Sequence, residues 1–363
     1  MSYRLLLFFT TLLGPMLGHV LLQRDFSRAV RLASKAKRVP IESVCQLVDD
    51  YYADPERTIV EDIRDITYED TRDFFTVLGH GLFSTTYLAH DKSKSIAVKV
   101  ISSDPEQVDS TEKELFIWFK LMVRSNQIVV PFRSCFYEEG YQYIISDTFG
   151  TDLETFVIDY VLTRKIRLTT QIGMMLRMAI IVEDLLKLEI NHNDLNPHNF
   201  LVSTENHTID IRVIDFGLST LGGETTPTLG HLSFTAPERM QGLEYDERAL
   251  VYSLGTVFWR LLGDYPQNDD ERCFQPEEFY PECVAKTLKH FETFVEEVLE
   301  LPAYHTLPEF EQIQNFIQLI QFMLREKDSR PGIKAVRAKL SEFYEQAKRF
   351  HPGDNISFTY KIL

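Results

Sequence analysis

The sequence predicts an α+β fold in two lobes, a small β-rich one over residues 71–150 and a larger helical one over 151–350. Three observations carry this. Phe74–Leu78, Thr85–His90 and Ser95–Ile101 are short β-branched or alternating runs, punctuated by Gly79 and Gly81, which is how successive strands read. Between Thr169 and Glu189, Ile172, Met175, Leu176, Ala179, Val182 and Leu186 recur at helical spacing and give one long apolar face. Then two strand-like runs each deliver a carboxylate to a turn, Asp194 after Ile190–Asn193 and Asp215 after Ile211–Ile214.

The chain has 363 residues, enough for one large domain with an amino-terminal extension, and its 44% hydrophobic content is ordinary for a globular protein. Acidic side chains outnumber basic ones by 54 to 38, for a formal charge of -16, which argues against general nucleic-acid binding. The first 22 residues differ from the rest. Arg4 precedes an apolar run from Leu5 to Leu13, and Gly14-Pro15 breaks a second run ending at Leu22, the pattern of a secretory signal peptide. An uncleaved signal anchor is the competing reading, since the stretch nearly reaches spanning length. Either one sends the protein into the secretory route, to be secreted or held at a membrane. The triplets Asn206-His207-Thr208 and Asn355-Ile356-Ser357 agree with that route. Four cysteines, Cys45, Cys135, Cys273 and Cys283, allow three pairings; Cys273 with Cys283 and free buried thiols are equally open.

Residues 23–70 form the extension, basic first and then acidic. Arg24, Arg28, Arg31, Lys35, Lys37 and Arg38 interleave with Phe26, Ala29, Val30 and Ala33. That spacing suits either a helix on an anionic membrane surface or a solvated linker. The β-rich segment follows. Glycines between two strands, here Gly79 and Gly81 with Ser84 beyond, let backbone N–H groups approach phosphate oxygens. Lys99 sits inside the apolar run Ile96-Ala97-Val98-Lys99-Val100, where its charge needs an anionic partner. A helix over 111–123 follows, with Glu112 and Glu114 ahead of the packed face Leu115, Phe116, Trp118 and Phe119. A further strand, Tyr141–Ser146, ends at Asp147-Thr148-Phe149-Gly150.

The combination Lys99, His192-Asn193-Asp194-Leu195 with Asn199, Asp215-Phe216-Gly217 and Ala236-Pro237-Glu238 resembles the eukaryotic-type protein kinase family, whose patterns are V-A-I-K, H-R-D-L-x-x-x-N, D-F-G and A-P-E. The likeness covers about residues 74–348, leaving 351–363 as a carboxy-terminal tail. It implies the two-lobed kinase-like fold, ATP and Mg²⁺ as cofactors, and a protein substrate. By the same resemblance Asp194 handles the acceptor hydroxyl's proton and Asn199 and Asp215 hold the metal. Lys99 meets the nucleotide phosphates and is fixed by a helix glutamate, Glu114 by preference because the packed face follows it, with Glu112 as the alternative. Gly79, Gly81, Ser84, Ala97, Ser146, Asp147, Phe149, Asp152 and Leu201 would line the nucleotide site, with Ser146 as gatekeeper and Asp147 to Phe149 as hinge. Arg330 should pair with Glu238.

The pattern is also broken in four places. Asn193 replaces the arginine that normally receives an activation-segment phosphate, so Thr225, Thr226 and Thr228 lose that receptor. Asn196 replaces the lysine two residues after the catalytic aspartate, and His231 replaces a threonine that contacts the same site. Leu250 stands where a central helix usually carries an aspartate bonded to the catalytic loop. Three readings follow: an atypical protein kinase acting on Ser/Thr hydroxyls, a pseudokinase binding nucleotide or a partner without turnover, and a small-molecule kinase of similar fold. The last draws on His192-Asn193-Asp194-Leu195-Asn196-Pro197, which resembles the loop of aminoglycoside and choline phosphotransferases; Glu238 with Arg330 speaks against it. With its amino-terminal features the chain also looks like the secreted rhoptry kinases and pseudokinases of apicomplexan parasites.

Overall fold

The computed structural model describes residues 76–80, 84–91, 94–102, 113–122, 127–138, 141–161, 167–205, 208–222, 225–226, 230–264, 280–299, 310–350 and 357–358. The expected signal or anchor, the extension over 23–70, Gly81, Glu112, Thr228, Cys273 and both sequon asparagines lie outside those residues. The described residues fall into two compact units. One holds those of Met1–Arg124 and Pro131–Thr148; the other holds those of Ser125–Val130 and Phe149–Leu363.

The first unit is an antiparallel five-stranded sheet with one helix. Strands β1 (Thr76–His80), β2 (Ser84–Asp91), β3 (Lys94–Ser102), β4 (Phe132–Glu138) and β5 (Tyr141–Asp147) lie in the order β1-β2-β3-β5-β4. Alternation along β3 sorts its side chains. Ile96, Val98 and Val100 are buried with Tyr87, Ala89, Tyr143 and Ile145, while Ala97 and Lys99 take the opposite face. Gly79 was expected in the turn, yet it belongs to β1. A register irregularity between Val77 and Gly79 absorbs an extra residue, and glycine accommodates such a bulge. Helix α1 (residues 113–122) buries Leu115, Phe116, Phe119 and Leu121, and Phe119 meets Phe132 of β4 edge-on at 4.6 Å. Cys135 of β4 is a free, buried thiol.

The second unit is mostly helical. Short strand β6 (Thr151–Asp152) leads into helix α2 (Leu153–Phe156), which Asp152 caps by accepting from the Thr155 N–H at 3.1 Å. Helix α3 (Leu168–Lys187) is buried along most of its length, as its apolar spacing predicts. It ends through Glu189, a non-glycine residue at φ 58°, into β7 (Ile190–Asn191). Strands β8 (Phe200–Glu205) and β9 (Thr208–Val213) form a hairpin, and β10 (Thr220–Leu221) pairs with β7. Beyond the short helix α4 (Pro237–Met240), helix α5 (Arg248–Leu262) is buried over Ala249–Leu261 on every side, the mark of a helix with no solvent face. Helices α6 (Tyr280–Leu299), α7 (Phe310–Met323) and α8 (Ile333–Phe350) surround it and α3, and β11 (Ser357–Phe358) adds in parallel to β9. Among the described residues no helix is long and apolar enough to cross a membrane.

One buried ion pair fixes α4 to the chain before α8. The Arg330 guanidinium donates to both carboxylate oxygens of Glu238, the Nη2–Oε2 contact being 2.8 Å, and its Nε donates to the Arg325 carbonyl at 2.6 Å. Tyr252 of α5 lies 4.8 Å from the same guanidinium. Neither charge reaches water, so each depends on the other. Arg330→Met should therefore lower the unfolding free energy by about 3–5 kcal/mol. Lys339→Met, which removes an exposed pair with Glu342, should change it by less than about 1 kcal/mol. Urea denaturation of the two variants checks the contrast.

Candidate active site

In the first unit, Lys99 leaves the polar face of β3 and its Nζ donates to Glu114 Oε1 at 2.7 Å. Glu114 is 3% exposed and Lys99 16% exposed, so the pair is shielded and each charge satisfies the other. The preferred partner is thus the observed one. Pairing across the sheet sets Ala97 opposite Ser146 and Ile96 opposite Asp147. Ser146 is buried, and the Asp147 N–H is bonded to the Pro131 carbonyl at 2.9 Å. Arg133 of β4 donates to the Asp147 carboxylate, which neutralises that residue locally. Ser84 opens β2, half-buried, and a Cβ added at Gly79 would meet nothing within 4 Å.

In the second unit, the β8–β9 hairpin brings the two carboxylate turns together. Phe200 pairs with Val213, and just beyond that pair the Ile214 N–H donates to the Asn199 carbonyl at 3.0 Å. Asn199 and Asp215 therefore emerge side by side. Asn199 Nδ2 donates to the Asp194 backbone oxygen at 2.8 Å and to its Oδ2 at 3.0 Å, which leaves Asn199 Oδ1 as the atom for other work. Asp215 holds φ 65° and accepts from the Gly217 N–H at 3.4 Å. An amide oxygen beside a carboxylate is a hard donor set that fits a small divalent cation.

His192 ties these turns together from below. It is fully buried; its Nε2 lies 3.0 Å from the Ile214 carbonyl, and its Nδ1 accepts the Asp194 N–H at 3.3 Å. This network assigns the proton to Nε2. Burial drives its pKa below the usual histidine range, outweighing the nearby Asp194 and Asp215, so the ring is neutral. The Phe216 ring packs 5.2 Å away.

On the other side of Asp194, Leu201 pairs with Asp152 across β6 and β8, and Phe149 stacks under the Arg212 guanidinium at 4.2 Å. Asp152 also meets His198 Nδ1 at 3.3 Å. Burial acts to raise the Asp152 carboxyl, but the bonds from His198 and Thr155 outweigh it and hold the pKa at about 2. The same bond from Asp152 raises the His198 imidazole.

Residues 73–340, about three quarters of the chain, match the family model described as protein kinase domain. The chain belongs to the protein kinase family. It is 27% identical over 199 residues to calcium-dependent protein kinase 4 of Plasmodium berghei, a match covering 52% of this chain and 37% of that protein. It is 30% identical over 203 residues to the dual specificity protein kinase shkA of Dictyostelium discoideum, covering 52% and 36%. It is 28% identical over 195 residues to the probable serine/threonine-protein kinase zyg-1 of Caenorhabditis elegans, covering 51% and 26%. The chain thus spans between 26% and 37% of the length of these relatives.

For a protein kinase, the four sequence departures are filled in specific ways. Asn196 Nδ2 donates to Asp194 Oδ1 at 3.1 Å, a neutral bond where the family has a lysine. His231 turns its ring onto Phe234, 5.1 Å away, and presents its backbone N–H to Asp194 Oδ1 at 2.8 Å. The main chain, rather than the imidazole, meets the aspartate, so any gain of charge from His231 is not delivered by direct contact. Asn193, at φ 63°, donates from Nδ2 to the Leu218 carbonyl and to Thr220 Oγ1, both at 3.0 Å. Leu250 is buried in an apolar setting.

Two contributors were invisible in the sequence. Gly230 lies against Asp194 so closely that a Cβ there would stand 2.1 Å from Oδ1. Arg239, which directly follows Ala236-Pro237-Glu238, buries its guanidinium and donates from Nη1 to the Asn193 carbonyl at 2.5 Å. Gly230 opens the run that ends at Ala236-Pro237-Glu238, and its steric need becomes apparent only with Asp194 in place. Gly230→Ala should push the segment off Asp194 and break the His231 N–H bond. Deuterium exchange at the His231 amide should then accelerate about tenfold. Gly332→Ala, where a new Cβ meets nothing within 4 Å, should leave that amide unchanged.

Proposed function

We propose that this chain transfers the γ-phosphoryl group of ATP to Ser/Thr hydroxyls of protein substrates, with Mg²⁺ as the metal. The observation that carries the reading is the state of the Asp194 carboxylate. Oδ1 accepts from Asn196 Nδ2 and the His231 N–H, and Oδ2 accepts from Asn199 Nδ2. An ionised carboxylate offers about four acceptor sites. Three are used to hold it rigidly, and the fourth is left for an incoming hydroxyl, which Asp194 orients and whose proton it accepts. Asn199 Oδ1 and Asp215 are the residues that would hold Mg²⁺, which would neutralise developing charge on the phosphates. By the family resemblance Lys99, kept in place by Glu114, is a phosphate-contacting residue and Asp147 belongs to the hinge in the first unit, while Phe149, Asp152 and Leu201 are nucleotide-lining residues of the second.

Phosphoryl transfer relies on positioning and charge neutralisation more than on covalent chemistry. Here Asp194 is held by three hydrogen bonds, while one positive charge is missing at Asn196. The rate is accordingly expected to be low, since one preorganised electrostatic contact is worth on the order of 10²–10³ in rate. The same missing charge favours the second reading, a pseudokinase that binds nucleotide without turnover. Glu238 bonded to Arg330 stands against the small-molecule reading.

Labelled phosphate from ATP should appear on a generic protein acceptor in the presence of Mg²⁺. Asp194→Ala should lower the rate by about 10²–10³-fold, and Asp215→Asn should abolish the response to Mg²⁺. Equal labelling by wild type and Asp194→Ala would sink the proposal. A rise in melting temperature with nucleotide, accompanied by no transfer, would establish the pseudokinase instead.

We also propose the secretory route for this chain, supported by the apolar stretch after Arg4 and by the sequons, with the basic segment Arg24–Arg38 resting on an anionic membrane surface. Full-length protein made in a eukaryotic cell should then shift in gel mobility on glycosidase treatment. Asn206→Gln together with Asn355→Gln should remove the shift. A protein that never carries glycan and remains in the cytosolic fraction would overturn this.

A further inference from the structure

The activation segment of this kinase lies between Gly217 and Ala236, and its usual phosphate receptor is absent because Asn193 replaces the arginine. A different linkage occupies the same neighbourhood. Tyr245 Oη accepts the Thr226 N–H at 2.7 Å and lies 3.3 Å from the Thr226 carbonyl, to which it donates. The Tyr245 ring carries the Arg239 guanidinium at 5.1 Å from its centroid. Arg239 in turn donates to the carbonyl of Asn193, the residue bonded to Asp194. Arg239 is 5% exposed, so its bond to Asn193 is made away from water, where a charge-assisted bond is strong.

We infer that Arg239 and Tyr245 are positioning residues that lock the activation segment to the catalytic loop without any phosphate. The chain of contacts runs from Thr226 through Tyr245 and Arg239 to the Asn193–Asp194 peptide. Each link is a group this sequence always carries, so segment order is built in rather than switched on. Three neighbouring facts agree. The Asn193 amide is spent on Leu218 and Thr220, at the base of the same segment. Leu250 supplies no polar contact to the catalytic loop, so the loop needs another anchor, and Arg239 provides one. Arg239 precedes Tyr245 by only six residues, so a single short stretch from α4 onward grips both partners.

The inference rests on the kinase reading for its rate consequences but not for its structural ones, and the experiment separates the two. Full-length protein is treated with phosphatase, and amide deuterium exchange is followed in wild type, Arg239→Met, Arg239→Lys and Tyr245→Phe. Wild type should protect the Thr226 amide while fully dephosphorylated. Tyr245→Phe should raise exchange at Thr226 about tenfold, and Arg239→Met should do so at residues 191–196 as well as in the segment. Arg239→Lys keeps a donor but loses the planar stack, and should restore part of the protection. Exchange in α5 and α8 should stay as in wild type. In a transfer assay Arg239→Met should lower kcat with KM for ATP unchanged. Two results would overturn the inference: a Thr226 amide protected only after phosphorylation, or variants whose exchange rises uniformly across α5 and α8. Absence of transfer in wild type with the exchange pattern intact would remove the kinase reading and leave the lock standing. If Arg239→Met fails to fold, Tyr245→Phe alone decides, because it deletes one hydroxyl.

Discussion

The second unit's site depends on one neutral imidazole. His192 uses both ring nitrogens at once, toward Ile214 on the metal-side turn and toward Asp194 on the catalytic turn, and its own carbonyl accepts from Ser219 Oγ at 3.2 Å. A charged ring would have two donors and no acceptor, and Nδ1 could no longer take the Asp194 N–H. Burial therefore sets the protonation state, and the protonation state sets the geometry of two loops. The substituted positions around it matter less than they first appear, because the backbone path they decorate is fixed from this ring.

The residues whose chemistry is anomalous in their own local context were legible in the sequence. Lys99 in an apolar strand needs an anion, and Glu114 at the head of an apolar helix face is one; the structure joins them. Asn199 and Asp215 were legible because they stand in runs that resemble the family's H-R-D-L-x-x-x-N and D-F-G patterns. What could not be read is what depends on distant approach. Gly230 could be placed by its distance from Ala236-Pro237-Glu238, but its role is hidden until Asp194 Oδ1 stands 2.1 Å from its missing Cβ. Arg239 looks like a surface arginine of a short helix, and only the fold shows it sealed against Asn193. The pairing of His198 with Asp152 was likewise hidden, since 45 residues separate them and neither is unusual where it stands. Gly79 shows the opposite error, a residue assigned to a turn by composition and drawn into a strand by a bulge.

The departures from the family pattern share a direction. Asn193, Asn196 and the His231 main chain all replace charged or hydroxyl groups with amide donors, and all three make well-formed bonds. The site has exchanged long-range charge for short-range geometry. Amide bonds hold position as well as charged ones do, but they add little electrostatic field at a phosphate a few ångströms away. On the proposed function, order and rate thus come apart: the catalytic loop is held by short bonds while transfer is expected to be slow.

Glu189, Asn193 and Asp215 carry left-handed backbone at φ 58°, 63° and 65° without being glycine. Each such residue costs on the order of 1 kcal/mol against its local preference. The three flank the catalytic and metal turns, so this stretch of chain is wound against its own tendencies and held by bonds to remote partners. A segment of that kind stores energy that its release would return. When the second unit breathes, the catalytic turns should therefore open as one cooperative piece well before the helices that frame them.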